Sequence, residues 1–221
     1  MTTDDVPEIP TARKAVVLEP VTWLQSILAR KANWWMCEID MDYIMDPFNA
    51  VGIDEQVSLA RSGLALLRRR DRPIDKIADD LAADAINVYG LLHARYILTK
   101  DGIRKMMNKN LRREFGCCSK VGCQMEALYP TGLYDEVGRS RVKLYCPRCR
   151  ELYHAEANVT LDGAFFGTSF PHNIYFERRD LLRPTPIHIV LKKPFQVVNS
   201  ENQSRRRVVA AEQRLALGHA K

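Results

Sequence analysis

Six cysteines are the residues of this 221-residue chain best equipped for chemistry, and four of them fall two plus two. Cys118-x4-Cys123 is followed by twenty-two residues and then by Cys146-Pro147-Arg148-Cys149. Two close thiol pairs across a short spacer can each grip one side of a single tetrahedral cation. Zinc suits such a site because it accepts four thiolates with no redox change and no d-electron geometry to satisfy. Leu144–Cys149 reads as a zinc knuckle, in which the chain turns so that backbone N–H groups point at sulfur. Buried small hydrophobes or a disulfide are the plain alternatives, and a two-plus-two spacing favours the metal over both. Adjacent Cys117 leaves the register open, since Cys117 gives x5 and Cys118 gives x4, both within what zinc modules tolerate. Four thiolates fill a tetrahedron, so no open position remains to activate water and the metal is structural. His154, five residues beyond Cys149, is a spare ligand and is expected free or hydrogen-bonded.

No second constellation supports catalysis. The sequence has no G-x-x-x-x-G-K-[ST] phosphate cradle, no G-x-G-x-x-G and no G-x-S-x-G elbow. Its composition, 46% hydrophobic and 27% charged, excludes a wholly disordered or membrane-embedded chain. The formal charge of +6 permits acidic partners or nucleic acid without requiring either. Basic side chains concentrate at Arg68-Arg69-Arg70-Asp71-Arg72 and Arg205-Arg206-Arg207, runs that are most simply solvated faces. The N-terminus is polar and acidic, without the pattern of a signal peptide, and no apolar run is long enough to span a bilayer. The expected setting is intracellular, cytoplasm or nucleus, where thiols stay reduced and a cysteine quartet favours metal. Cys37 lies far from the quartet and reads as a buried thiol.

The elements that must position the quartet follow from periodicity. Residues 1–20 carry little pattern and read as a flexible lead. Trp23, Leu24, Ile27 and Leu28 lie at helical spacing behind Thr22 as N-cap. Asn33–Ile39 is aromatic and β-prone, hence expected extended, and Asp40–Ile44 begins a helix stopped near Asp46-Pro47. After Gly52, a helix is expected over 54–69 with Val57, Ala60, Leu64 and Leu67 inward. Residues 74–99 form the clearest amphipathic stretch, with Ile74, Ile77, Leu81, Ala82, Ala85 and Val88 on one face and a bend at Gly90. Ile103, Met106, Met107 and Leu111 mark a further helix. From Gly116 onward the texture changes to short segments. Val142–Tyr145 and Leu152–His154 look like strands, and Pro130–Leu133 like a turn. Asp162–Pro171 sets three phenylalanines among two glycines and is expected to cover a core. A helix starts near Pro171 with Ser169 as cap, and residues 187–198 look extended. The fold class is mainly α, with an N-terminal all-helical domain (21–115) joined to a small β-rich zinc-ribbon domain (116–180). Flexible termini flank them, the lead (1–20) and a C-terminal segment with a basic tail (181–221).

Several motifs then converge. They are Glu38–Ile44, Phe48-Asn49-x-x-Gly52, Tyr89-Gly90-Leu91-Leu92-His93-Ala94-Arg95-Tyr96-Ile97-Leu98, Phe115-Gly116, Val142–Cys149 and Leu161–His172. In content and order they resemble the regulatory (beta) subunit family of casein kinase II, over roughly residues 22–172. The resemblance implies Cys118, Cys123, Cys146 and Cys149 as ligands of one structural zinc ion (Zn2+). It further implies a noncatalytic protein whose zinc module makes a homodimer, bridging two catalytic kinase subunits into a heterotetramer that acts on substrate proteins. Val121, Leu133 and Leu152 fall where the family places dimer contacts, and lining the module's own core is the alternative for each. Phe195 and Val197 lie in the segment that the family docks on its catalytic subunit, although Lys193 and Pro194 stand where an aromatic and glycine are expected. Thr2, with Asp5 three residues on, is the acceptor comparable to the family's phosphorylated N-terminal serines. The family's acidic loop is here the basic run Arg68–Arg72, so polyamine binding is not carried over. A zinc-ribbon nucleic-acid-binding protein is the alternative reading. It is disfavoured because the zinc module's aromatics are not interleaved with Arg or Lys.

Overall fold

The apolar run behind Thr22 forms the first helix of the computed structural model, which describes residues 22–69, 77–177 and 179. All of these lie in the first of two compact units, residues 1–185. Helix α1 is Trp23–Leu28, and its entry is a reciprocal cap: the Gln25 N–H donates to Thr22 Oγ1 and the Thr22 N–H to Gln25 Oε1. Helices α2 (Met41–Met45), α3 (Ala60–Leu67), α4 (Asp79–Tyr96) and α5 (Lys100–Leu111) follow. Then come strands β1 (Tyr129–Thr131), β2 (Lys143–Tyr145) and β3 (Leu152–His154), and helix α6 (Phe170–Glu177). The described chain is thus helix-rich with one small antiparallel sheet, ordered β1-β2-β3.

Helix α4 is the axis of the core. Ala85, Val88, Tyr89, Leu92, His93 and Tyr96 recur at helical spacing and are buried. Its approach to α3 is close because small residues meet there. A Cβ on Gly63 would sit 3.1 Å from the Ala85 Cα. Phe165, Phe166 and Phe170 are buried, as their segment promised.

Several expectations are corrected. Asn33–Ile39 is not a strand; a 3-10 turn at Lys31–Asn33 leads into an irregular stretch. Its backbone groups are satisfied by α4 side chains instead of by a neighbouring strand. The Cys37 N–H donates to His93 Nε2 (3.0 Å), the Ile39 N–H to Tyr89 Oη (3.1 Å), and the Tyr89 hydroxyl to the Cys37 carbonyl (2.8 Å). The helix expected over 54–69 begins only at Ala60. Gly52, left-handed at φ 77°, opens a 3-10 turn, and Asp84 Oδ2 takes the Leu59 N–H. Helix α4 starts at Asp79, leaving Ile77 ahead of it and Leu81 and Ala82 half-buried.

Gly90 lies inside an unbroken helix and not at a bend; its missing side chain makes room for Phe165, whose Cδ1 lies 2.0 Å from where a Cβ would stand. Leu111 is 70% exposed and does not share the buried face of Ile103 and Met106. Pro130 belongs to β1, opposite Leu144, and a proline is tolerated there because β1 is an edge strand. The α6 entry uses the Ser169 carbonyl, which accepts from the His172 and Asn173 N–H groups.

Candidate metal centre

Two hairpin-like turns bring the four cysteines together. In the first, the Cys118 N–H donates to the Glu126 carbonyl, Val121–Cys123 makes a 3-10 turn, and Gln124 and Met125 adopt left-handed backbone to return the chain. In the second, the Cys146 N–H donates to the Glu151 carbonyl and the Arg150 N–H to the Cys146 carbonyl, with Arg150 left-handed at φ 59°. Side chains link the turns in both directions. Lys120 pairs with Glu151 at 2.5 Å, and Arg148 lies 3.5 Å from Glu126 while Nη1 donates to Gln124 Oε1.

The sulfurs of Cys118, Cys123, Cys146 and Cys149 all lie within 4.8 Å of one another. Cys118 and Cys149 are 3.9 Å apart, as are Cys123 and Cys146. A tetrahedron of sulfurs around an ion at about 2.3 Å has edges of about 3.8 Å, so these spacings fit a metal. They are far too long for a disulfide, and all six cysteines are free. Cys117 lies outside this cluster and bridges to Ala127, so the four sulfurs that gather include Cys118 and not Cys117. His154 is outside it too, exposed, with Nδ1 3.1 Å from Lys143 Nζ. Cys37 is buried, and burial pushes its thiol up to about 12.

Burial makes most of the cluster resist ionisation. Burial, together with its sulfur neighbours, pushes Cys123 up to about 11, and burial drives Cys146 higher still despite N–H groups of Cys149 and Arg148 aimed at its sulfur. Cys118 moves down: burial opposes its ionisation, but Tyr153 and the Lys120 N–H outweigh it. Four thiolates this close would repel one another, and a divalent cation between them removes that penalty. The donor set is therefore one that can hold a metal ion.

Tyr153 was not legible as part of this site. Its phenol oxygen lies 3.4 Å from Cys118 Sγ and 3.2 Å from Cys149 Sγ. The alternation of β3 turns Tyr153 toward the sulfurs, a placement that needs the strand register.

Val121, Leu133 and Leu152 are 93%, 43% and 51% exposed, and none of them is in the buried core of the described residues. Thr2, Phe195, Val197, Arg70–Arg72 and Arg205–Arg207 lie outside the described residues.

Residues 22–207 match the family described as casein kinase II regulatory subunit. The chain belongs to that family. It is 40% identical over 158 residues to casein kinase II subunit beta of Schizosaccharomyces pombe, covering 69% of this chain and 68% of the relative. It is 37% identical over 164 residues to subunit beta′ of Drosophila melanogaster, covering 72% and 75%. With subunit beta′ of Saccharomyces cerevisiae the identity is 38% over 159 residues, covering 67% and 61%. This is a regulatory family and not the catalytic kinase. The nucleic-acid alternative finds no support among these relatives.

Proposed function

We propose that this casein kinase II regulatory subunit works as a zinc-stabilised homodimer that docks catalytic subunits into a heterotetramer and modulates their activity and substrate choice. In this reading residues 21–115 are the helical domain, 116–180 the zinc-ribbon dimerisation domain, and 181–221 the docking segment with its tail. One structural zinc per chain sits on Cys118, Cys123, Cys146 and Cys149. The observation that carries the dimer is the exposure of Val121 in the first cysteine turn, Leu152 on β3 and Leu133 just beyond β1. Val121, two residues before Cys123, is 93% exposed and not buried by any described residue, and burying such side chains against a second copy stabilises the pair. Family membership supports the kinase partner, with Phe195 and Val197 as docking side chains and Thr2 as phosphate acceptor. Reduced cysteines support a place inside the cell, in cytoplasm, nucleus or both.

The test is sedimentation and capture. The zinc-loaded chain should sediment as a dimer and retain recombinant catalytic subunit, with no kinase activity of its own. V121E combined with L152E should yield zinc-loaded monomers. A zinc-loaded parent that is monomeric would refute the dimer, and one that retains no catalytic subunit would refute docking.

A further inference from the structure

Cys118 comes from the first turn of the metal centre and Cys149 from the second, and one side chain reaches both. The Tyr153 oxygen stands 3.4 Å from the first sulfur and 3.2 Å from the second, across a gap of 3.9 Å between them. We propose that Tyr153 is a positioning residue of the metal centre, donating its phenol proton to the Cys118 and Cys149 thiolates and so locking the two halves of the site around the ion.

A thiolate bound to a cation still has lone pairs, and a hydrogen bond to one of them disperses charge and holds the sulfur in place. The backbone N–H groups of Lys120, Arg148 and Cys149 serve only sulfurs of their own turn. Tyr153 differs because it spans the two turns, and it sits on β3, whose pairing with β2 fixes where the oxygen lies.

With Cys118 as a thiol, its Sγ donates to the phenol oxygen and the phenol donates to Glu151 Oε2 at 3.2 Å; a thiolate has no proton to give and accepts instead, so Glu151 competes with sulfur for the phenol proton. Lys120 lies 2.5 Å from the other carboxylate oxygen and draws off its charge. That pairing weakens Glu151 as an acceptor and favours sulfur once the cysteines are thiolates. Tyr153 thus works on the ligands directly, and Lys120 and Glu151 set how freely it does so.

This rests on the metal reading above, and the experiment separates the two. Full-length parent, Y153F and E151Q are loaded with zinc, and release to an excess of a colorimetric chelator is timed; each is also loaded with cobalt and its visible spectrum recorded. Removing partners of this kind costs about 10–100-fold in metal affinity, so Y153F should release zinc about that much faster. Its thiolate-to-cobalt charge-transfer band should shift, while the far-ultraviolet circular dichroism of the loaded protein stays that of the parent. E151Q removes the competing charge and should release zinc no faster than the parent. Y153F with the parent's release rate and cobalt spectrum overturns the proposal, as does E151Q matching the loss in Y153F, which would route the effect through the carboxylate. A parent that takes up no zinc or cobalt refutes the metal reading itself.

Discussion

Replacing His93 with leucine tests the core most directly. His93 has no exposed surface, and its two ring nitrogens meet backbone from distant segments. The Cys37 N–H donates to Nε2, so Nε2 carries no proton, and Nδ1–H must therefore donate to the Phe165 carbonyl at 2.7 Å. Leucine fills similar space but leaves that N–H and that carbonyl without partners. An unsatisfied buried group costs about 1–3 kcal/mol, so H93L should lose about 2–6 kcal/mol, a large part of a typical domain's stability.

The pH dependence gives a second, independent reading. Burial holds the His93 imidazole down at about 4, against an ordinary value of about 6.5. Between those values the unfolded chain binds a proton that the folded chain refuses. The folded state is therefore favoured most above pH 6.5 and loses about 3 kcal/mol as pH falls toward 4. Urea midpoints of zinc-loaded parent and H93L, measured from pH 7 to pH 4.5, should converge as pH falls. The cysteine site loses metal in acid in both proteins, so only the difference between them is read. Parallel curves, or a loss below about 1 kcal/mol at pH 7, would refute the reasoning.

Other substitutions probe separate features. G90A should destabilise by about 1–3 kcal/mol, because the added Cβ would lie 2.0 Å from Phe165 Cδ1. Helix propensity alone calls for a gain of about 1 kcal/mol, so a raised melting temperature would overturn the close-approach argument. K105M should raise the titration of Asp40, whose carboxyl is held below the usual range first by the Lys105 hydrogen bond and then by that of Tyr96. That depressed carboxyl contributes stability above the ordinary carboxylate range and loses it as pH falls, and carbon NMR of Asp40 reads the change. C118S should lose bound zinc and C117S keep it, as atomic absorption will report; equal zinc in both would remove Cys118 from the site.

Local features of the sequence determined much of what was read from it. The thiol spacing depends only on short stretches of chain, and it marked Cys123, Cys146 and Cys149 together with one of Cys117 and Cys118 as the sulfurs to gather. The Thr22 cap, the stop at Pro47 and the burial of Ala85 and Val88 on α4 are likewise set by residues within one or two helical turns. Among the described residues Ile103 and Met106 followed that period, but Leu111 did not, because a helical stripe is buried only where something covers it.

Tertiary structure alone decided the remainder. Cys37 meets His93 fifty-six residues away, and Ile39 meets Tyr89 across fifty. A β-prone composition cannot announce that its partner is a helix side chain. Gly90 looked like a hinge because glycine lowers helix propensity; the ring of Phe165, seventy-five positions on, explains it as a place of close approach. Cys117 and Cys118 are neighbours of one type that spacing does not separate; the fold sets the Cys118 sulfur by Cys149 and leaves Cys117 outside the cluster, bridged to Ala127. Tyr153 is another tyrosine until β3 pairs with β2 and places its oxygen between two sulfurs. Spacing along the chain brings near residues together, while contacts between far ones depend on how the elements pack.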